Sequence, residues 1–156
     1  MVVYLPWENP NLVESVLNKI SDKVFYVYGH TSEKIVRDNI IWKPSSRAGF
    51  IKDLESCNGV LCNAGFELTS ECLSLNKKIM VKPVMSQVEQ LANVKALDNL
   101  GLATTTNKIT TAIVSDWLEN NTRNSLPYFN VVDPLIDWIE CGSFDDIDSL
   151  IKRVWS

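Results

Sequence analysis

Along the chain, short apolar runs rich in β-branched residues alternate with stretches whose apolar positions recur every three to four residues, the pattern of a parallel sheet wrapped by helices. The runs Val2-Leu5, Val24-Tyr28, Asn39-Trp42, Gly59-Cys62, Ile79-Lys82 and a short Ala103-Thr105 read as strands. Asn9-Pro10 pairs a helix cap with proline at the first helical position, opening a helix striped by Leu12, Val16 and Ile20. Ser45-Ser46 opens the next, with Phe50, Leu54 and Cys57 as its apolar face. Further helices carry Leu68, Cys72 and Leu75; then, after Pro83, Val88, Leu91 and Leu97 up to Gly101; then, from Asn107 to about Glu119, Ile109, Ile113 and Trp117. From Asn120 to Asn130 the chain is polar, and two amphipathic helices around Pro134-Glu140 and Phe144-Val154 close it. The expected fold class is α/β, a parallel sheet of about six strands with helices on both faces, in one domain spanning 1–156 with 120–156 as a helical tail packed on its outside.

The 156 residues are 46% hydrophobic and 22% charged, enough for one core without a metal or disulfide staple. The net charge of -4 argues against a protein that grips a nucleic acid backbone and points to a small-molecule or protein partner. The four cysteines, Cys57, Cys62, Cys72 and Cys141, form no Cys-x-x-Cys pair, and His30 is the sole histidine, so a zinc site of usual spacing is excluded. The first three fall in stretches expected to be buried, which reads as a reducing, cytoplasmic setting. No apolar run has the length of a membrane span, which leaves only peripheral membrane contact open, and the Asn120-Asn121-Thr122 sequon carries little weight in that setting.

In open parallel sheets ligands bind beyond the carboxyl ends of the strands. The loop Asn63-Ala64-Gly65-Phe66 runs from a buried strand into a helix N-terminus, which leaves backbone N–H groups and the positive end of the helix dipole for an anion. Glu71, one and a half turns further, suits paired hydroxyls such as those of a ribose; read alone it is more simply a solvated helix residue. Neither Gly-x-x-x-x-Gly-Lys-Ser/Thr nor Gly-x-Gly-x-x-Gly occurs. His30 stands at the ligand edge, and Trp7 and Trp42 are divided between cleft and core. Asp146-Ile147-Asp148 spells Asp-x-Asp, but in the first turn of a helix its carboxylates more simply complement the dipole. No metal site is expected.

Asn63-Ala64-Gly65-Phe66-Glu67-Leu68-Thr69-Ser70-Glu71-Cys72-Leu73, then Val81-Lys82-Pro83, Gln87-Val88-Glu89-Gln90-Leu91-Ala92-Asn93 and Leu100-Gly101 form a linked series, joined by Val3-Tyr4-Leu5-Pro6-Trp7-Glu8 and Phe50-Ile51-Lys52-Asp53-Leu54. Over residues 2 to 105 it resembles the donor-binding half of GT-B glycosyltransferases, in particular those similar to the muramyl-pentapeptide N-acetylglucosaminyltransferase. The resemblance implies a Rossmann-like three-layer sandwich that binds a nucleotide sugar, with a UDP-sugar preferred, and a hexosyltransferase that needs no metal and no other cofactor. Glu71 would hold the ribose, and the backbone at Gly65 and Phe66, beside Asn63, the diphosphate. Glu89 and Gln90 would hold the sugar, and Ser46, Arg47 and Phe50 the base. Where many relatives have threonine, this chain has Glu67 and Leu68, with Thr69 only afterwards. The catalytic base and acceptor site would lie in an absent N-terminal domain or a separate acceptor subunit, so the isolated chain is expected to turn over little. The competing expectation is a non-catalytic, flavodoxin-like module that binds a nucleotide or a protein.

Overall fold

Every apolar run singled out above forms a strand in the computed structural model of the chain, which describes residues 1–120, 131–142 and 144–154. These are β1 (Val2–Tyr4), β2 (Phe25–Tyr28), β4 (Ile40–Lys43), β5 (Gly59–Asn63), β6 (Lys78–Lys82) and β7 (Thr104–Thr105), and a further short strand, β3 (Ile35–Arg37), precedes β4. Hydrogen bonding orders them β3-β4-β2-β1-β5-β6-β7. All neighbours pair in parallel except β3, which adds antiparallel to β4 as an edge hairpin turning at Asp38, whose φ is 49°. The sheet therefore has seven strands rather than six. The extra one escapes the pattern because, with Val36 and Arg37 exposed, this three-residue edge strand packs only Ile35 against the core, too little to show as an alternation.

Without β3, the strand order is that of the doubly wound nucleotide-binding fold, and the direction of winding reverses between β1 and β5. The helices are α1 (Pro10–Leu17), α2 (Arg47–Ser56), α3 (Phe66–Ser74), α4 (Val88–Asn99) and α5 (Thr111–Glu119). Alternation along the strands sends Val3, Val27, Leu61 and Met80 into a core with Val13 and Val16 of α1 and Val114 and Trp117 of α5. Val2, Val60, Cys62 and Val81 face the other way, against Leu54 of α2, Cys72 of α3 and Leu97 of α4. This makes the expected three layers.

Several stripe residues prove exposed: Leu12, Leu75, Val88 and Leu91. In α1 the buried face is Val13, Val16 and Leu17, one position round from the expected stripe. The chain leaves α1 by a connection clamped by Asn39, whose Nδ2 donates to the carbonyls of Leu17, Ile20 and Lys23 at 3.0, 2.8 and 3.1 Å. α4 starts only at Val88, because Pro83 to Gln87 form a turn after β6, and α5 starts at Thr111, capped by the Thr110 hydroxyl.

Contacts divide the chain into two units, Met1–Leu126 and Pro127–Ser156. The second holds α6 (Val132–Glu140) and α7 (Ile147–Val154), joined by an Arg153–Asp137 ion pair of 2.5 Å and an edge contact of Trp138 with Phe144. Residues 121–130, most of the expected polar connection and part of the sequon, lie outside the described residues. Among the described residues no helix is long and apolar enough to cross a membrane.

Candidate functional site

Beyond the carboxyl ends of β1, β2, β4 and β5 lies a cavity of about 350 Å³. One side is aromatic. Tyr4 and Tyr28 are the last residues of their strands, and their side chains project on the α2–α3 face because that face alternates with Val3 and Val27. Phe50 of α2 packs edge-on against both, at centroid distances of 5.7 Å from Tyr4 and 5.0 Å from Tyr28, geometry favourable for ring quadrupoles.

Tyr28 is fixed from behind. Its hydroxyl donates to Asp53 Oδ2 at 2.5 Å, and the same oxygen accepts from Lys43 Nζ at 2.5 Å. The Lys43 ammonium also lies 4.3 Å from the centre of the Tyr26 ring. Burial, and then the bond to Asp53 and its charge, push the Tyr28 phenol well above its ordinary value, so this hydroxyl stays protonated as the donor to Asp53.

The start of α2 forms a second side. Ser46 is its N-cap, with extended backbone and Oγ accepting from Gly49 N at 3.3 Å. Ser45, Ser46 and Arg47 line the cavity. Opposite stands α3, which contributes Leu68 and two carboxylates one turn apart, Glu67 and Glu71. Its N-cap is Gly65, with no side-chain hydrogen bond to the first turn, so those N–H groups are not taken by a capping side chain. Gly65 has an ordinary φ of -68°, and a Cβ there would meet nothing within 4 Å. Its value lies in leaving that space open, not in an unusual backbone.

The cavity thus gathers Glu71, Ser46, Arg47 and Phe50, while Gly65 and the exposed Phe66 form the start of α3. Asn63 is buried at the end of β5; its Nδ2 donates to Lys82 O at 2.9 Å and its Oδ1 has no partner. Glu89 is exposed in the first turn of α4, whereas Gln90 is buried, with Oε1 accepting from Val84 N at 2.9 Å. Neither lines the cavity. The Thr69 hydroxyl donates to the carbonyls of Gly65 and Phe66, so it is used in the helix itself.

His30 Nε2 donates to Leu5 O at 3.0 Å, and its ring stands edge-on to Trp42, which is core, whereas Trp7 is exposed. Asp146 Oδ1 accepts from Ser149 N at 3.1 Å, the work of a helix cap. Sequence reasoning did not single out Tyr4, Tyr28, Asp53 and Lys43 as a unit; the available signal was a tyrosine closing each of two adjacent strands. Asn93, which ties α4 to the loop by donating to Ala64 O at 2.9 Å, was visible only as part of a motif.

A family model described as glycosyl transferase family 1 matches residues 1–121 of the chain. The chain belongs to that family. No curated protein sequence matches it. Among solved structures, this glycosyl transferase family 1 chain is similar to the glycosyltransferase SnogD from Streptomyces nogalater, at 17% identity and a TM-score of 0.57, over 77% of this chain and 33% of that one. It is also similar to the glycotransferase of kitacinnamycin, at 15% identity and a TM-score of 0.58, over 76% of this chain and 35% of that one. At such identities the likeness is one of fold, the Rossmann-like α/β fold of GT-B domains. The chain spans about a third of the length of these structures.

Proposed function

We propose that this chain is the donor-binding half of a GT-B hexosyltransferase and that its ligand is a nucleotide sugar, a UDP-sugar by preference. The observation that carries the reading is the cavity itself: Glu71 and the first turn of α3, whose Gly65 cap supplies no side-chain hydrogen bond, face an aromatic wall and the start of α2 across a space of nucleoside size. In this reading the ribose diol donates to Glu71, an acceptor-only carboxylate. The base lies between Phe50 and the Ser46–Arg47 turn. The diphosphate meets the backbone N–H groups at Gly65 and Phe66, which no side chain caps and where the helix dipole favours negative charge. Glu89, exposed in the first turn of α4, is the sugar ligand of this reading; Gln90, held to Val84, shapes the turn beside it. The closer kinship to the muramyl-pentapeptide N-acetylglucosaminyltransferase belongs to the same proposal and rests on the linked motifs.

The proposed chemistry is displacement at the anomeric carbon. An acceptor oxygen forms a bond to that carbon, the bond to the diphosphate breaks, and its electron pair leaves with the nucleoside diphosphate. The start of α3 stabilises that developing charge without a metal ion. The acceptor proton goes to a base outside this chain, supplied by an N-terminal acceptor domain or an acceptor subunit, in the cytoplasm. Calorimetric titration with UDP, GDP, ADP and TDP, with and without magnesium, tests the reading. Saturable, metal-independent binding of UDP in preference to the others is the expected result. Absence of saturable binding by all four refutes it and favours the non-catalytic module.

A further inference from the structure

Away from the cavity lining, the Glu8 carboxylate and the Lys82 ammonium form an ion pair whose side chains are only 13% and 12% exposed. Pairs this far out of water contribute little net stability, because desolvating two charges offsets most of their attraction. Its position gives a different reason for its existence. Glu8 lies in the turn between β1 and α1, and that turn is pinned twice at Leu5 O, by Glu8 N at 3.0 Å and by His30 Nε2 at 3.0 Å. Lys82 is the last residue of β6. Since β5 lies between β1 and β6, the pair crosses the end of β5, where the chain turns through Ala64 into α3.

That place is the crevice where the winding of the sheet reverses. The residue after Glu8 is Asn9, the N-cap of α1, and Gly65, the N-cap of α3, lies two residues beyond Asn63, the register partner of Lys82. Two helix N-termini and an ammonium therefore stand at the ends of the three neighbouring strands β1, β5 and β6, and all three favour an anion. Glu8 is the anion the protein supplies. Adjacent strands lie about 4.8 Å apart, so a lysine chain that spans β5 to meet Glu8 also reaches the turn at the end of β5. The buried Asn63 side chain, with its unpartnered Oδ1, lies under the same turn.

We propose that Glu8 is a built-in stand-in for the donor's diphosphate, and that Lys82 is the cation the diphosphate takes over when it binds. The inference rests on the donor-binding reading and deepens it by naming the charge that balances the leaving group. In the free protein Glu8 keeps Lys82 neutralised and in place. With donor bound, Lys82 turns to a diphosphate oxygen and Glu8 is released toward solvent. When the bond from the anomeric carbon to the diphosphate breaks, the electron pair stays on the diphosphate and the Lys82 charge offsets it; no proton leaves Lys82.

The two partners then have opposite effects on one measurement, which a structural ion pair does not. UDP binding is measured by calorimetry and uridine binding by ligand-observed NMR, on the wild type, Glu8→Gln, Lys82→Gln and the double variant. Loss of a charge-assisted contact predicts that Lys82→Gln weakens UDP about tenfold. Removal of the competing carboxylate predicts that Glu8→Gln tightens UDP by roughly threefold or more, with uridine unchanged in both. The double variant, which buries no unpaired charge and so keeps the test valid if a single variant fails to fold, should bind UDP as weakly as Lys82→Gln alone. Unchanged UDP affinity in the Lys82 variants, or a Glu8→Gln that weakens UDP as Lys82→Gln does, overturns the proposal while leaving the donor reading intact. A wild type that binds none of UDP, GDP, ADP and TDP overturns both.

Discussion

Asp53 holds the aromatic wall, and removing its carboxylate should cost the fold more than any other single change at the cavity. Oδ2 receives both Tyr28 and Lys43 at 2.5 Å, with the Asp53 side chain 13% and the Lys43 side chain 23% exposed. Hydrogen bonds with a charged member contribute roughly 1.5–3 kcal/mol each, and breaking a fully buried pair costs about 3–5 kcal/mol. Here the stranded Lys43 keeps some water and the Tyr26 face, so Asp53→Ala is expected to cost about 2–4 kcal/mol. For a domain of this size that lowers Tm by roughly 5–12 °C. Tyr28→Phe removes one of the two donors to that carboxylate, which Lys43 still pairs, and should cost about 1.5–2 kcal/mol, the low end of the charged range. Urea unfolding followed by tryptophan fluorescence gives both values, and a double-mutant cycle should show coupling of about 1 kcal/mol or more. The Tyr28 phenol, raised in part by Asp53, should titrate at lower pH in Asp53→Ala. A loss below about 0.5 kcal/mol, the level of an ordinary surface substitution, would refute the reasoning.

Glu71→Ala should weaken nucleotide binding by about 1–3 kcal/mol in calorimetry with an unchanged melting curve, since the side chain is exposed and has ribose hydroxyls as its proposed partners; equal affinities would remove that role. Gly59→Ala should destabilise by about 1–3 kcal/mol in urea unfolding, because a Cβ would lie 2.9 Å from Lys78 O and 2.7 Å from Met1 Cε. Of the four thiols only Cys141 is exposed, so a disulfide reagent should label one cysteine in the native protein and four after unfolding. Burial raises the Cys62 thiol and pushes Cys72 up to about 12 from 9.0. Both raised values favour the neutral folded form, so this stability is complete below about pH 9 and is lost as pH rises toward 12, with a slope of up to ~1.4 kcal/mol per pH unit per thiol. Denaturant unfolding across that range checks the sign.

The strands were legible because both cores press on them. Val60, Leu61 and Cys62 are buried on successive faces, so an unbroken apolar run has only one reading. Helix caps were legible for a similar reason of local chemistry: Asn9 and Ser46 accept the N–H bonds that their residue types are suited to accept. The burial of apolar helix residues was less legible. Leu12, Leu75, Val88 and Leu91 are all apolar and all exposed, because core positions are apolar but apolar positions need not be core.

The site divides along the same line. Gly65, Phe66 and Glu71 are close in sequence, so one strand-turn-helix unit fixes them, and their spacing already shows it. Glu8 and Lys82 are separated by 74 positions, and neither spacing nor periodicity links them; only the order β1-β5-β6 does, by putting one strand end between them. The Tyr28–Asp53–Lys43 cluster likewise joins β2, α2 and β4. Interactions of this kind depend on topology, and topology here rests on the reversal of winding between β1 and β5, which no single segment encodes. The same reversal opens the crevice, so the contacts least visible in the sequence are the ones gathered around it.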